Sequence, residues 1–491
     1  MQLLDLITIF IFALGIVIMG LSFSGKGRNM KSFFAAGGAV PWAMSGLSLF
    51  MGFFSAGTFV VWGSIAYSLG WIAISIQWTM AIAGFVVGFF IASRWHKTSA
   101  LTVAEYITRR LGVNTQKTYT YLFLFISLFT TGSFLYPVAK IVEVSTGMPL
   151  DLCILLLGGF CIVYVAAGGL WAVVSTDVLQ FIILTAAVLI VVPLSFGRVG
   201  GVVNFIESIP ATYFNLVNGE YTIGFIIAFG VYNAIFLGGN WAYVQRYASV
   251  NSQSSARKVG FLFGGLYVVS AVLWMLPPMI YRIVNPSLST IDAEGAYLMM
   301  CKEVLPAGLL GLMLSGMVFA TASSLNATLN ISSGVVTNDI FKRLFPQSSD
   351  KTLMRVARIS TIIFGLLAII VALLIPLMGG IVNVVISVAA LTGVPLYLPI
   401  IWTLFSKRQT EYSVITTTLV SLGANAFFKF ITPLWGFGFN RAEEMIVGVA
   451  FPVFCLIAFE LYYKLNHKIS HRYVEYLSLI HISEPTRRVV I

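Results

Sequence analysis

The sequence predicts an all-α integral membrane protein of about thirteen transmembrane helices. Three observations predict it. The chain is 58% hydrophobic. Only 10% of its residues are charged, against about 25% in an ordinary soluble domain. Its apolar runs recur at the length of roughly 20 residues that crosses a bilayer core. The spans are expected at 3–23, 42–66, 71–93, 118–146, 150–167, 172–196, 222–244, 259–284, 304–336, 353–376, 380–404, 411–432 and 441–464. No cleavage site follows the first apolar segment, which reads as a retained helix rather than a secretory signal.

The charges between the spans give the orientation. Lys26, Arg28 and Lys31 follow the first span, and Arg94, Lys97, Arg109, Arg110 and Lys117 follow the third. The same side holds Arg246, Arg257, Lys258, Lys342, Arg343, Lys351, Arg355, Lys407, Arg408, Lys464, Lys468 and Arg472, twenty in all. The opposite side holds five: Arg198, Arg282, Lys302, Lys429 and Arg441. Basic loops stay in the cytoplasm, so the N-terminus is expected outside and the C-terminus inside the cell membrane. The net charge of +11 then reflects topology rather than nucleic-acid binding. The lipid bilayer is the expected partner, around a chain expected to be monomeric.

Chemistry is sparse. Cys153, Cys161, Cys301 and Cys455 have no metal or redox spacing and read as small apolar residues. His96, His467, His471 and His481 fall in loops or the tail, with no triad or metal motif inside the membrane, which argues against an enzyme. "LSLIHISEPTRR" (Leu477 to Arg488) resembles the read-through of a sequencing adapter; residues 477–491 are expected to be non-native, after a cytoplasmic tail at 465–476.

Two spans are expected to be broken. Segment 42–66 carries Gly52, Ser55, Gly57 and Thr58 at its centre, and segment 222–244 ends in Gly238, Gly239 and Asn240. They are the second and seventh spans. Interrupted helices at corresponding positions of two repeats point to a transporter's binding site; glycines also serve plain helix packing. The ninth span gathers Thr321, Ser323, Ser324, Asn326, Thr328, Asn330, Ser332 and Ser333.

"GGLWAVVSTDVLQ" (Gly168 to Gln180), "NWAYVQRY" (Asn240 to Tyr247) and "SSLNATLNISSGVVTNDIF" (Ser323 to Phe341) resemble motifs of the sodium/solute symporter family, over roughly residues 1 to 465. The family includes sodium-coupled sugar, proline, pantothenate and sialic acid carriers. The resemblance implies an inverted five-plus-five (LeuT-like) repeat at 42–404, one extra helix at 1–23 and two further helices at 411–464.

Carried over residue by residue, the resemblance implies a sodium site of the carbonyls of Met51, Phe54 and Ala320 and the hydroxyls of Ser323 and Ser324. Sodium wants oxygen ligands, and a helix break frees carbonyls that lipid cannot satisfy. Ala320, Ser323, Ser324 and Ala327 share one helix face. Serines in membrane helices also bond back to the i−4 carbonyl, and Thr321, Thr328, Ser332 and Ser333 are assigned to that role or to packing. A second sodium site, or an exit path, is implied at Asp177 with Asn326; Ala327, lacking a side-chain oxygen, argues for one ion. Asp177 also reads as a cap at the start of segment 172–196.

Solute contacts are implied at Ser55, Thr58, Gln77 and Asn240. Phe53, Trp78, Trp241 and Tyr243 would stack on a sugar face or simply pack. Lys140 is the candidate partner for an anion, or pairs with Glu143 three residues on. The expected function is sodium-coupled symport of a small organic solute, most simply a neutral sugar or polyol. The alternatives are a monocarboxylate, sialic acid or amino acid, or the transporter-like domain of a sensor kinase.

Overall fold

The computed structural model describes residues 2–24, 40–100, 102–164 and 170–483. A few side chains inside its helices, those of Ser323, Asn326 and Ala327 among them, lie outside this description, as do Lys26, Arg28 and Lys31. The described residues form helices, with one isolated bridge between Val40 and Val250.

A helix lies in each predicted segment. The chain runs through α1 (Leu3–Ser24), α2 (Trp42–Met51), α3 (Gly63–Leu69) and α4 (Trp71–Val86). A π-helical turn carries α4 into α5 (Ala92–Lys97). Then come α6 (Val103–Leu111), α7 (Val113–Thr146), α8 (Leu150–Tyr164), α9 (Leu170–Arg198) and α10 (Val202–Ser208). The second half holds α11 (Ile223–Gly239), α12 (Trp241–Ala248), α13 (Gln253–Val284), α14 (Ala296–Val304) and α15 (Leu309–Gly334). It closes with α16 (Asp350–Leu374), α17 (Ile381–Val388), α18 (Val394–Thr403), α19 (Glu411–Ala426), α20 (Arg441–Leu465) and α21 (His471–Ser483). Among the described residues, eight helices are long and apolar enough to cross a membrane, nine if α11 and α12 count as one bent span. Shorter apolar stretches lie in α1, α2, α3, α8 and α15.

Two expectations change. His96 sits in the last turn of α5, not in a loop. α9 begins at Leu170, so Asp177 lies inside the helix and does not cap its start. The tail forms α21, which passes through Tyr476 to Ser483.

The helices sort into two groups, each drawn from both halves of the chain. The broken second span, α4, the broken seventh span and α13 pack together; so do α7, α8, α15 and α16. In the first group Gly84 and Gly88 face Gly260 and Gly264. A Cβ on Gly84 would lie 2.7 Å from the Gly264 nitrogen, and one on Gly260 would lie 2.7 Å from the Gly88 Cα. Two facing G-x-x-x-G patterns thus let α4 and α13 touch backbone to backbone, as packing without a hydrophobic drive requires. α1 lies outside both groups, against α15 and α9. Asp5 on α1 accepts from the Gly308 and Gly311 amides at the start of α15, at 2.7 and 3.1 Å, which satisfies two of that helix's orphan donors.

Candidate functional site

The first break follows from local sequence. Gly52, Ser55 and Gly57 weaken the helix, and the Thr58 hydroxyl donates to the Phe53 carbonyl. α2 stops at Met51, and the chain resumes helical form at Ala56. Inside the break, amides reach the carbonyls of Leu49, Phe50 and Ser55 at 2.9 to 3.2 Å. Among the described residues no backbone amide reaches the carbonyl of Met51 or Phe54. Both residues are buried, so these oxygens face the protein interior.

α15 closes the other side. The Thr321 hydroxyl accepts from the Ala56 amide at 3.0 Å and donates to the Met317 carbonyl at 2.9 Å. Thr321 makes the expected bond back to its i−4 carbonyl and, beyond that, pegs the restarted helix to α15. The Ser324 hydroxyl donates to the Ala320 carbonyl at 3.4 Å. Met51, Ala320 and Ser324 line one cavity of about 90 Å³, which reaches Ser48, Asp177 and Arg246. The side chains of Ser323 and Asn326 lie outside the described residues.

At one end of this cavity Ser48 is a bridge. Its hydroxyl donates to the Asp177 carboxylate at 2.6 Å and accepts from the Arg246 Nε at 3.0 Å. All three are buried. The bridge joins α2, α9 and α12, hence both broken spans. The charge pattern placed Arg246 in a loop; it lies in the last turn of α12.

A second cavity, of about 170 Å³, lies between the two broken spans. Ser55, Thr58 and Gln77 line it, as expected, with Phe53 and Tyr243, whose rings are 5.0 Å apart. Asn233, Tyr232, Thr392 and Tyr397 also line it, which the sequence did not suggest. No charged side chain is among its described lining residues. The buried Gln77 amide nitrogen has no partner among the described residues; a buried donor without a partner is costly unless a ligand or water meets it.

Asn240 lines the smaller cavity and not the larger one. Its side-chain oxygen accepts from the Ala242 amide at 3.0 Å, capping α12, and its nitrogen donates to the Tyr397 hydroxyl at 3.3 Å. Trp78 and Trp241 are packing residues: Trp78 donates to the Val268 carbonyl at 3.0 Å, and Trp241 stacks on Phe123 at 4.6 Å.

Lys140 lines neither cavity. Its ammonium pairs with Glu143 at 2.9 Å. Nearby, Glu294 accepts from the Tyr136 hydroxyl at 2.8 Å and the Ile381 amide at 3.0 Å. Burial pushes the Glu294 carboxyl above its ordinary range.

The model of the sodium:solute symporter family matches residues 33–420. The chain belongs to the sodium:solute symporter family. Membership makes sodium its coupling ion and makes it a carrier rather than an enzyme. A sodium/glucose cotransporter of Vibrio parahaemolyticus is 28% identical, over 87% of this chain and 86% of its own length. A sodium/myo-inositol cotransporter 2 of Oryctolagus cuniculus is 26% identical, over 74% and 60%. The solved structure of a Na+-coupled sialic acid symporter, outward-open with substrate bound, matches with a TM-score of 0.79 and 21% identity, covering 94% of this chain and 98% of that one. That likeness supports the LeuT-like fold of this symporter, in which each of the two helix groups described above takes helices from both halves of the chain.

Proposed function

We propose that this symporter imports a neutral sugar or polyol with sodium, by alternating access, with its N-terminus outside and its C-terminus in the cytoplasm. The observation that carries this reading is the charge-free described lining of the larger cavity, in which Gln77 keeps a buried amide nitrogen without a partner among the described residues. Neutral donors and acceptors suit hydroxyl groups, whereas an unpaired carboxylate there would cost several kcal/mol. Ser55, Thr58, Gln77 and Asn240 bind the solute, and Phe53 and Tyr243 cover its apolar face. The glucose and myo-inositol specificities of relatives agree with this class.

Sodium sits at the carbonyls of Met51, Phe54 and Ala320 and the hydroxyls of Ser323 and Ser324. Its binding holds the first break in the shape that forms the solute cavity, which couples the two ligands. One ion is carried per cycle, because Ala327 supplies no side-chain oxygen. Asp177 lies on the ion's exit path, with Ser48 and Arg246 beside it. One charge crossing 100 mV yields about 2.3 kcal/mol, and a tenfold sodium gradient adds about 1.4 kcal/mol. Together these support solute accumulation of several hundredfold.

The test is uptake into proteoliposomes of labelled glucose, galactose, myo-inositol, proline and a monocarboxylate, with and without an inward sodium gradient. Sodium-driven uptake of a sugar or polyol, weakened by Gln77→Ala, is expected. Uptake confined to the monocarboxylate or to proline would overturn the neutral-sugar reading.

A further inference from the structure

A helix that stops inside a bilayer leaves carbonyls in its last turn with no intrahelical donor, and lipid offers none. At the second break three of these oxygens are met, and the Gly239 carbonyl receives no donor among the described residues. The Phe236 carbonyl takes the Asn240 amide at 3.0 Å. The Leu237 carbonyl takes the Tyr247 hydroxyl at 3.2 Å. The Gly238 carbonyl takes the Trp95 indole N–H at 2.6 Å. Trp95 comes from the cytoplasmic end of the third span, and both side chains are fully buried.

The Trp95 ring is itself fixed. Tyr106 packs edge-on against it at 5.1 Å, and the Tyr106 hydroxyl shares a hydrogen bond with Thr403 on α18 at 2.9 Å. Neither Trp95 nor Tyr247 lines either of the two cavities. Both act on the backbone one or two residues before Asn240. Little slack exists there: a Cβ on Gly239 would lie 2.8 Å from the Tyr397 Cβ. The reach from Asn240 to the Tyr397 hydroxyl, 3.3 Å, therefore depends on where Trp95 and Tyr247 hold the end of α11.

We propose that Trp95 and Tyr247 are positioning residues for transport: they fix the Leu237 and Gly238 carbonyls of the second break and hold Asn240 and Tyr397 in register along the solute path. The second clause rests on the reading of Asn240 as a solute contact; the first stands without it.

Trp95→Phe and Tyr247→Phe each remove one donor and keep a ring. Amide hydrogen exchange on the purified full-length protein reads the break directly. Exchange at least about tenfold faster at residues 237–244, and not in α2 or α15, is expected, the scale of one lost buried hydrogen bond. In uptake, half-saturation for a neutral sugar should rise about tenfold, while half-saturation for sodium stays within about twofold. Unchanged exchange at the second break would overturn the proposal. So would a lower melting temperature with both half-saturation values unmoved, which is what mere packing predicts. If the unmodified protein carries no neutral sugar, the proposed solute class falls, and the exchange measurement still decides the positioning role.

Discussion

The two broken spans are pseudo-equivalent in the repeat, yet they handle the same chemical problem in opposite ways. In the first, the carbonyls of Met51 and Phe54 receive no amide among the described residues. In the second, Leu237 and Gly238 receive side-chain donors from Tyr247 and Trp95. A free buried carbonyl inside a membrane is a cost unless a cation or water repays it. The first break thus leaves two carbonyls open to a ligand, whereas the second supplies side-chain donors to two of its own. Symmetry of fold does not carry symmetry of backbone pairing.

The largest expected effect is the direct test of this contrast. Ser324→Ala should raise the sodium concentration for half-maximal uptake by about tenfold or more, with Ser323→Ala acting in the same direction but more weakly. Tyr247→Phe should leave it within about twofold. Sodium dependence of uptake for the three purified variants decides. An unmoved Ser324→Ala, or a Tyr247→Phe that shifts as far, would erase the distinction between the breaks.

Next in size is Thr321. Its hydroxyl takes the Ala56 amide from one side and gives to the Met317 carbonyl on the other. Thr321→Val keeps the shape but leaves a buried amide unpaired, a cost of about 1–3 kcal/mol. Sodium half-saturation should rise about fivefold and the melting temperature should fall by several degrees. Thr321→Ser should restore both. A Val variant indistinguishable from the parent in both measurements would show that the peg does not hold the first break.

How far the sequence reveals this site depends on distance along the chain. The broken spans were legible because glycines and polar residues interrupt an apolar pattern locally. The face of Ala320 and Ser324 was legible because helical spacing places it. Thr321 was not, since its use depends on an amide 265 residues away. It looks no different from Thr328, which bonds back to the Ser324 carbonyl at 3.1 Å. Trp95 and Gly238 meet across 143 residues, and no periodicity announces that. Arg246 reads as one more positive-inside loop charge, but it follows α12 into the interior to meet Ser48. Asn240 was found for its place beside the glycines, whereas its work as the cap of α12 emerges only once the bend of 59° is seen.

A smaller effect is expected at the bridge that joins the two broken spans. Ser48→Ala removes the hydroxyl between Asp177 and Arg246 without touching Met51 or Ser324. Turnover should fall about threefold, because a bridge to charged groups that must part and reform is lost. External sodium half-saturation should stay within about twofold. Initial rates under saturating sodium and solute measure the first, and a sodium titration the second. A sodium shift as large as that of Ser324→Ala would move Ser48 out of the exit path and into the first break's own site.

The smallest effect belongs to Lys140, which the charge of the solute makes informative. Its ammonium is buried against Glu143 at 2.9 Å, while the Glu143 side chain remains 29% exposed. Lys140→Ala therefore leaves a carboxylate that water still reaches, and the loss in stability should be about 1 kcal/mol or less. Neither residue lines the larger cavity, so half-saturation for a neutral sugar should change by less than about twofold. Charge bookkeeping gives an independent reading. One sodium with one neutral solute moves one net positive charge inward per cycle, so a reconstituted membrane should show an inward current in step with uptake. With a monoanion the same one-to-one cycle is electrically silent. Parallel measurement of current and labelled flux, on the parent and on Lys140→Ala, separates the cases. Sodium-dependent uptake of a monocarboxylate, without current and abolished by Lys140→Ala, would make Lys140 the anion's partner. It would also move the solute site away from the charge-free cavity that the two breaks enclose.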